Sequence, residues 1–189
     1  MKRIILITIA VLFALNLWAE EGTKEFKQSF PAASFNELIV SNRYGNIDVR
    51  QEGEEFAITA TVWVEAKNKA KVDEILEYIA ITAKERGSAL NVESVFKKDM
   101  SLKQTFSGVT VSVDYHIKVP VGKKVRLLST DGGVSMTDFT GDLSVEIVSG
   151  NFKANTVLGG EFSMKQSKGE FDVEKVAVFN GEFKSCKVK

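Results

Sequence analysis

Three features of the sequence predict a mainly β chain, a β-solenoid of short glycine-spaced strands with one helix packed on its N-terminal part. First, a glycine followed two and four residues later by mostly apolar side chains recurs six times, from Gly132-Gly-Val-Ser-Met136 to Gly181-Glu-Phe-Lys-Ser185. Second, the glycines at 132, 141, 150, 160, 169 and 181 lie 9, 9, 10, 9 and 12 residues apart, a period of strand plus tight bend. Third, taking every second unit aligns the columns Val134, Phe152, Phe171 and Leu143, Phe162, Phe183. An up-and-down meander would use the same units but pair neighbours antiparallel. The two-unit register stacks phenylalanine on phenylalanine and buries a seam that no single unit could bury, which favours the solenoid. Glycine suits the corners, where bends need unusual dihedrals or close backbone approach. Asp142, Asn151, Glu161, Glu170 and Glu182 alternate with the apolar positions and are expected to face water.

The elements before the repeats follow from local pattern. Residues 1–19 read as a secretory signal peptide: Lys2 and Arg3, an apolar run from Ile4 to Trp18, then Ala19 before Glu20 and Glu21. The run is shorter than the roughly 18 residues of a spanning helix, so export with cleavage is expected and no stable membrane insertion afterwards. The remainder, 20–189, is read as one domain, with N-terminal strands and a helix over 20–128 and the glycine-spaced repeats over 129–189. Ile47 and Val49 alternate with polar neighbours after a turn at Ser41 to Gly45. Phe56, Ile58, Ala60, Val62 and Val64 share one strand face, and Thr59, Thr61 and Trp63 the other. Asn68 caps a helix over about 69–78, whose stripe of Val72, Ile75, Leu76 and Ile79 is expected to cover the Trp63 face. A hairpin turns at Arg86-Gly87-Ser88, a polar loop fills 97–108, and a long strand from Val109 ends at Pro120.

Composition narrows the function classes. The chain has 189 residues, 44% hydrophobic and 10% aromatic, enough for an ordinary core. Without Lys2 and Arg3 it carries 23 basic and 25 acidic residues, a net charge of −2. That balance offers no electrostatic reason to expect nucleic acid or an anionic membrane. Cys186 is the single cysteine, so no intrachain disulfide forms.

Reactive constellations are equally sparse. His116 is the single histidine and sits on the polar face of its strand beside Asp114 and Lys118. One histidine and one cysteine give no zinc set, and no serine lies in a nucleophile-elbow motif. Asp131, Asp138 and Asp142 bracket the first repeat but lack a calcium-repeat pattern and read as turn carboxylates. No catalytic residue, cofactor or metal is therefore expected, and the chain is not read as an enzyme. Binding remains. Tyr44, Trp63, Phe139 and Phe179 fall outside the stacking columns and are the candidate surface contacts for a protein or glycan. The open end near Phe183 could accept a strand from a partner or from a second copy, end to end.

The segments Leu38-Ile-Val-Ser-Asn-Arg-Tyr-Gly-Asn-Ile-Asp-Val49 and Val113-Asp-Tyr-His-Ile-Lys-Val-Pro120, followed by the glycine units, resemble the bacterial putative-adhesin domain of unknown function. That group is similar to the head domain of autotransporter-like adhesins. The resemblance implies a right-handed β-helix and transfers no catalytic residue. The reading is an exported, non-enzymatic scaffold of the adhesion type, in the periplasm or at the cell surface, binding an envelope or extracellular partner. The alternative is a periplasmic component of an envelope signalling system, with a glycan-processing enzyme third.

Overall fold

The computed structural model describes residues 19–97 and 107–189. The signal segment, apart from Ala19, and most of the expected 97–108 loop lie outside the described residues. Thirteen strands follow in chain order: β1 (Glu20–Pro31), β2 (Glu37–Tyr44), β3 (Ile47–Gln51), β4 (Glu55–Ala66), β5 (Ile79–Arg86), β6 (Ala89–Phe96), β7 (Val109–Val119), β8 (Lys124–Asp131), β9 (Val134–Thr140), β10 (Leu143–Ser149), β11 (Phe152–Leu158), β12 (Phe162–Val176) and β13 (Phe179–Val188). Among the described residues one α-helix, α1 (Lys69–Tyr78), lies between β4 and β5, and a short 3-10 turn, Ala32–Ser34, lies between β1 and β2.

The expected right-handed β-helix is corrected by the sheet topology. All thirteen strands form one sheet, ordered β1-β4-β7-β3-β9-β11-β12-β10-β8-β2-β6-β5, with β13 beside β12. The pairings β1–β4, β4–β7 and β5–β6 are antiparallel, while the eight ladders between β7 and β6 are parallel. The sheet curls into a nearly closed, barrel-like shape around one continuous core. Two causes depart from a pure coil. β12 runs 15 residues and pairs with β10 from Phe162 to Lys168, then with β11 from Phe171 to Val176, joining two half-sheets. Antiparallel strands then extend each half, because β1, β4 and the β5–β6 hairpin return on themselves.

Within this sheet, Phe152 stands opposite Val134 on one side and Phe171 on the other, in parallel ladders. Leu143 stands opposite Phe162. The next residue in that column is Phe179, and Phe183 lies opposite Gln166 instead. The cause is the 12-residue step before Gly181, which starts β13 two residues ahead of that glycine. Gly181 is thus inside a strand, and a Cβ there would meet the rings of Phe179 and Phe183 at 2.4 and 2.7 Å.

Four other glycines form the corner of the stack. A Cβ on Gly132 would lie 1.9 Å from Gly45 O, on Gly150 2.1 Å from Gly132 O, and on Gly169 1.9 Å from Gly150 O. Side chains are therefore excluded from the space between successive turns. The same approach lets Gly45 N–H donate to Asp131 O (3.0 Å), Gly132 N–H to Ser149 O (2.9 Å) and Gly150 N–H to Lys168 O (3.0 Å).

α1 forms where the sequence places it, with Asn68 Oδ1 accepting from Lys71 N–H at 2.9 Å. Its position differs from expectation. Val72 and Leu76 sit over Gly22, which pairs with the buried Val64, so the helix covers the Val64 face of β4 rather than the Trp63 face. Gly22 leaves the space that lets Val72 approach.

Phe162 is 1% exposed and its ring lies 5.4 Å from that of Phe152. Phe162→Ala is expected to cost about 3–5 kcal/mol in chemical denaturation. Gly169 has φ +134°, so Gly169→Ala adds backbone strain to the collision with Gly150 O and should cost about 3 kcal/mol or more. An alanine variant as stable as the parent would show that the corner is not close-packed.

Candidate binding edge

The four candidate contact residues occupy unrelated places. Tyr44 is half-buried, edge-on to Phe96 at 5.7 Å, and the Arg43 guanidinium lies 5.6 Å from its ring centre. Trp63 is half-buried on the outer side of β4 and its Nε1–H donates to Glu21 Oε2 at 3.4 Å. Phe139 is 1% exposed and belongs to the core. Phe179 is 37% exposed and ends the phenyl stack, 5.1 Å from Phe162 and 5.2 Å from Phe171. Phe183 contacts Phe171 at 5.1 Å, also at this end.

β13 is the strand on which exposed apolar groups and an open backbone edge coincide. Among the described residues it pairs with β12 alone. Phe162 N–H donates to Val178 O at 3.2 Å, which sets the alternation of the ladder. Even-numbered residues in the first half of β13 turn their backbone toward β12, and Phe179, Gly181 and Phe183 turn N–H and C=O outward. Val178 (59% exposed) and Val188 (56%) flank this edge. The 12-residue spacing was the sequence signal for it, since it displaces Gly181 from a corner.

Among the described residues the outer strands β1 and β5 are guarded. β1 carries Lys24, Glu25 and Lys27 and ends at Pro31; Lys27 pairs with Glu25 at 3.0 Å. Lys24 Nζ also donates to Ile79 O at the head of β5, at 3.3 Å, and α1 packs against β1 beside it. β5 ends in Lys84, Glu85 and Arg86. Charges and proline on an outer strand oppose pairing with another chain.

A polar groove of about 310 Å³ on the outer face of β3 and β7 collects Asp48, Arg50, Glu52, Thr59, His116 and Lys118. Its charges are internally matched. Asp48 Oδ2 meets Arg50 Nε at 3.4 Å and His116 Nδ1 at 3.6 Å, and Ser135 Oγ donates to Asp48 Oδ1 at 2.9 Å. Lys118 Nζ holds Glu52 Oε1 at 2.8 Å, by a hydrogen bond and its charge, and keeps that carboxyl below its usual range. Asp142 is likewise engaged: Lys124 lies at 2.8 Å and Glu161 N–H donates to it at 3.2 Å, both lowering its pKa. Among the described residues no group of three or more His, Cys, Asp or Glu could hold a metal ion. No helix among them is long and apolar enough to cross a membrane.

No protein-family model and no curated protein matches this chain. Solved structures resemble it distantly. A putative cell adhesion protein from Clostridium sporogenes is 10% identical, over 89% of this chain and 100% of that one, with a TM-score of 0.37. A putative lipid binding protein from Parabacteroides distasonis is 12% identical over 87% and 75%, TM-score 0.31. A putative adhesin from Parabacteroides merdae is 12% identical over 88% and 97%, TM-score 0.27. Likeness at this level carries no argument about role, so the functional reading rests on the edge itself.

His116 is 68% exposed, and an exposed pair of this kind contributes little. His116→Ala is expected to change unfolding free energy by less than about 0.5 kcal/mol. A larger loss in urea denaturation would mean that the Asp48 pair supports β3 and β7.

Proposed function

We propose that this protein is an exported, non-enzymatic scaffold of the adhesion type that binds an envelope or extracellular polypeptide by strand addition at β13. The observation that carries the reading is the meeting of three properties on β13 and the residue just before it. Phe179 is 37% exposed, Val178 and Val188 are more than half exposed, and the backbone groups of Phe179, Gly181 and Phe183 face away from β12. An added strand would satisfy those backbone groups and cover the last rings of the stack. Main-chain hydrogen bonds would supply affinity, and the apolar side chains would select the partner. The parallel ladders behind β13 hold the edge rigid, so little ordering cost falls on the receiving side.

The test is affinity capture from the native envelope with cross-linking, comparing the parent with Phe179→Lys and Val121→Lys. Val121 is 70% exposed in the turn after β7 and serves as the control for loss of a surface apolar group. The expected result is a polypeptide cross-linked to 177–188, recovered with Val121→Lys and reduced by about tenfold with Phe179→Lys. Equal recovery with Phe179→Lys would place the contact elsewhere.

A further inference from the structure

The strand-addition reading leaves open which polypeptide lies along β13, and the rows of side chains crossing the sheet specify one. On the outer face, Glu146 stands opposite Lys165, and Lys165 stands opposite Glu182. The row therefore runs acid, base, acid and stops at the open edge, where a base would continue it. On the inner face the rings of Phe152, Phe171 and Phe183 follow one another at 5.5 and 5.1 Å, and Phe183 is half-buried with nothing beyond it on β13.

β13 itself contains the complement to both rows. Glu182 and Lys184 are exposed on its outer face on either side of Phe183. Two antiparallel copies turned about Phe183 would place Glu182 of each opposite Lys184 of the other. Directly opposed residues in an antiparallel pair share a face, so both contacts form on the outside. The outer row then reads Glu146, Lys165, Glu182 and Lys184 of the second copy. The two Phe183 rings meet on the inside and extend the stack. Phe183 is also one of the residues whose backbone faces the open edge, as a hydrogen-bonded central pair requires. Other registers fit less well. Turning about Glu182 sets that carboxylate against itself, and turning about Gly181 leaves Lys184 opposite Val178.

We infer that the occupant of the β13 edge is a second copy of this chain, paired antiparallel over Gly181–Ser185 with Glu182 and Lys184 exchanged between copies. The inference rests on the strand-addition reading. A two-fold contact of this kind uses both open edges at once and closes, so it yields a dimer and not a fibre. The pairing stays short because β13 turns its corner beside Gly169, opposite Cys186.

Sedimentation of the purified protein across micromolar concentrations tests this. The parent is expected to dimerise. Glu182→Lys and Lys184→Glu should each weaken the dimer by about tenfold, because each sets like charges directly opposite twice. The variant carrying both substitutions should recover it. An equimolar mixture of the two single variants should also form a heterodimer, since every lysine then faces a glutamate. That recovery is not expected of a fold defect. A dimer unmoved by the single substitutions, or a monomeric parent, overturns the inference. If the parent is monomeric yet Phe179→Lys still loses the captured envelope polypeptide, strand addition stands and the second copy does not. If nothing is captured either, both fall.

Discussion

The contact on which this structure depends is the passage of one backbone carbonyl into the space where the next turn's side chain would be. Gly132, Gly150 and Gly169 each sit against the carbonyl of the corner before, and Gly45, the first of them, sits against Val113 O. Only glycine leaves that volume empty and reaches the required dihedrals without strain. The approach brings successive N–H and C=O groups into bonding range and so sets the spacing of the parallel ladders. With that spacing fixed, Phe152 and Phe171 lie 5.5 Å apart at an interplanar angle of 14°. The aromatic core is thus a consequence of the corners as much as of the phenylalanines.

Such corners bury polar backbone, and three buried side chains answer the need. Asn42, Ser129 and Gln166 belong to one row across the sheet, with Ile147 between the last two. Asn42 Nδ2 donates to Tyr44 O and Gly45 O at 3.1 Å and to Val113 O at 2.7 Å, while Ser94 Oγ donates to Asn42 Oδ1. Ser129 Oγ donates to Gly132 O at 2.8 Å. Ile147 has nothing to give, and Gln166 Nε2 reaches back to Gly150 O at 2.7 Å instead. The carbonyls would otherwise be buried without a donor, which costs more than the net gain from an ordinary hydrogen bond. On the outer side, Asn46 and Asn151 each accept an N–H from the following turn, from Gly133 and Glu170. These residues clamp the turns from both sides.

Among the described residues the outer strands of the sheet differ in how their edges are treated. β1 and β5 carry charge, proline and helix cover, all of which resist pairing. β13 carries valine and phenylalanine beside open backbone. Natural sheets avoid that combination unless another strand covers it. The charged groups of the β3–β7 groove and Asp142 are engaged locally: Asp48, Arg50 and His116 with one another, Lys118 with Glu52, and Asp142 with Lys124. That contrast between the edges is what supports the proposed binding at β13.

Much of the local structure was legible in the residues. The Asn68 cap, the helix after it, the hairpin at Gly87 and the alternation along β4 and β7 each depend on neighbours in sequence. The pairing of Phe152 with Phe171 was legible too, because glycine spacing encodes the length of a turn. Of the contact residues, only Phe179 proved to lie on the candidate edge, and Phe139 was a core ring whose place in the sheet gives no local sign. Closure of the sheet was not legible. It depends on β12 bending from β10 to β11, and on β4 pairing antiparallel with both β1 and β7, choices made between segments far apart in the chain. Side-chain periodicity reports which face of a strand is buried but not the direction of the strand beside it. The sequence by itself determined strands and corners; only the tertiary structure decided the curled sheet, the face taken by α1 and the open edge of β13 among the described residues, because those follow from competition among strands for the same core.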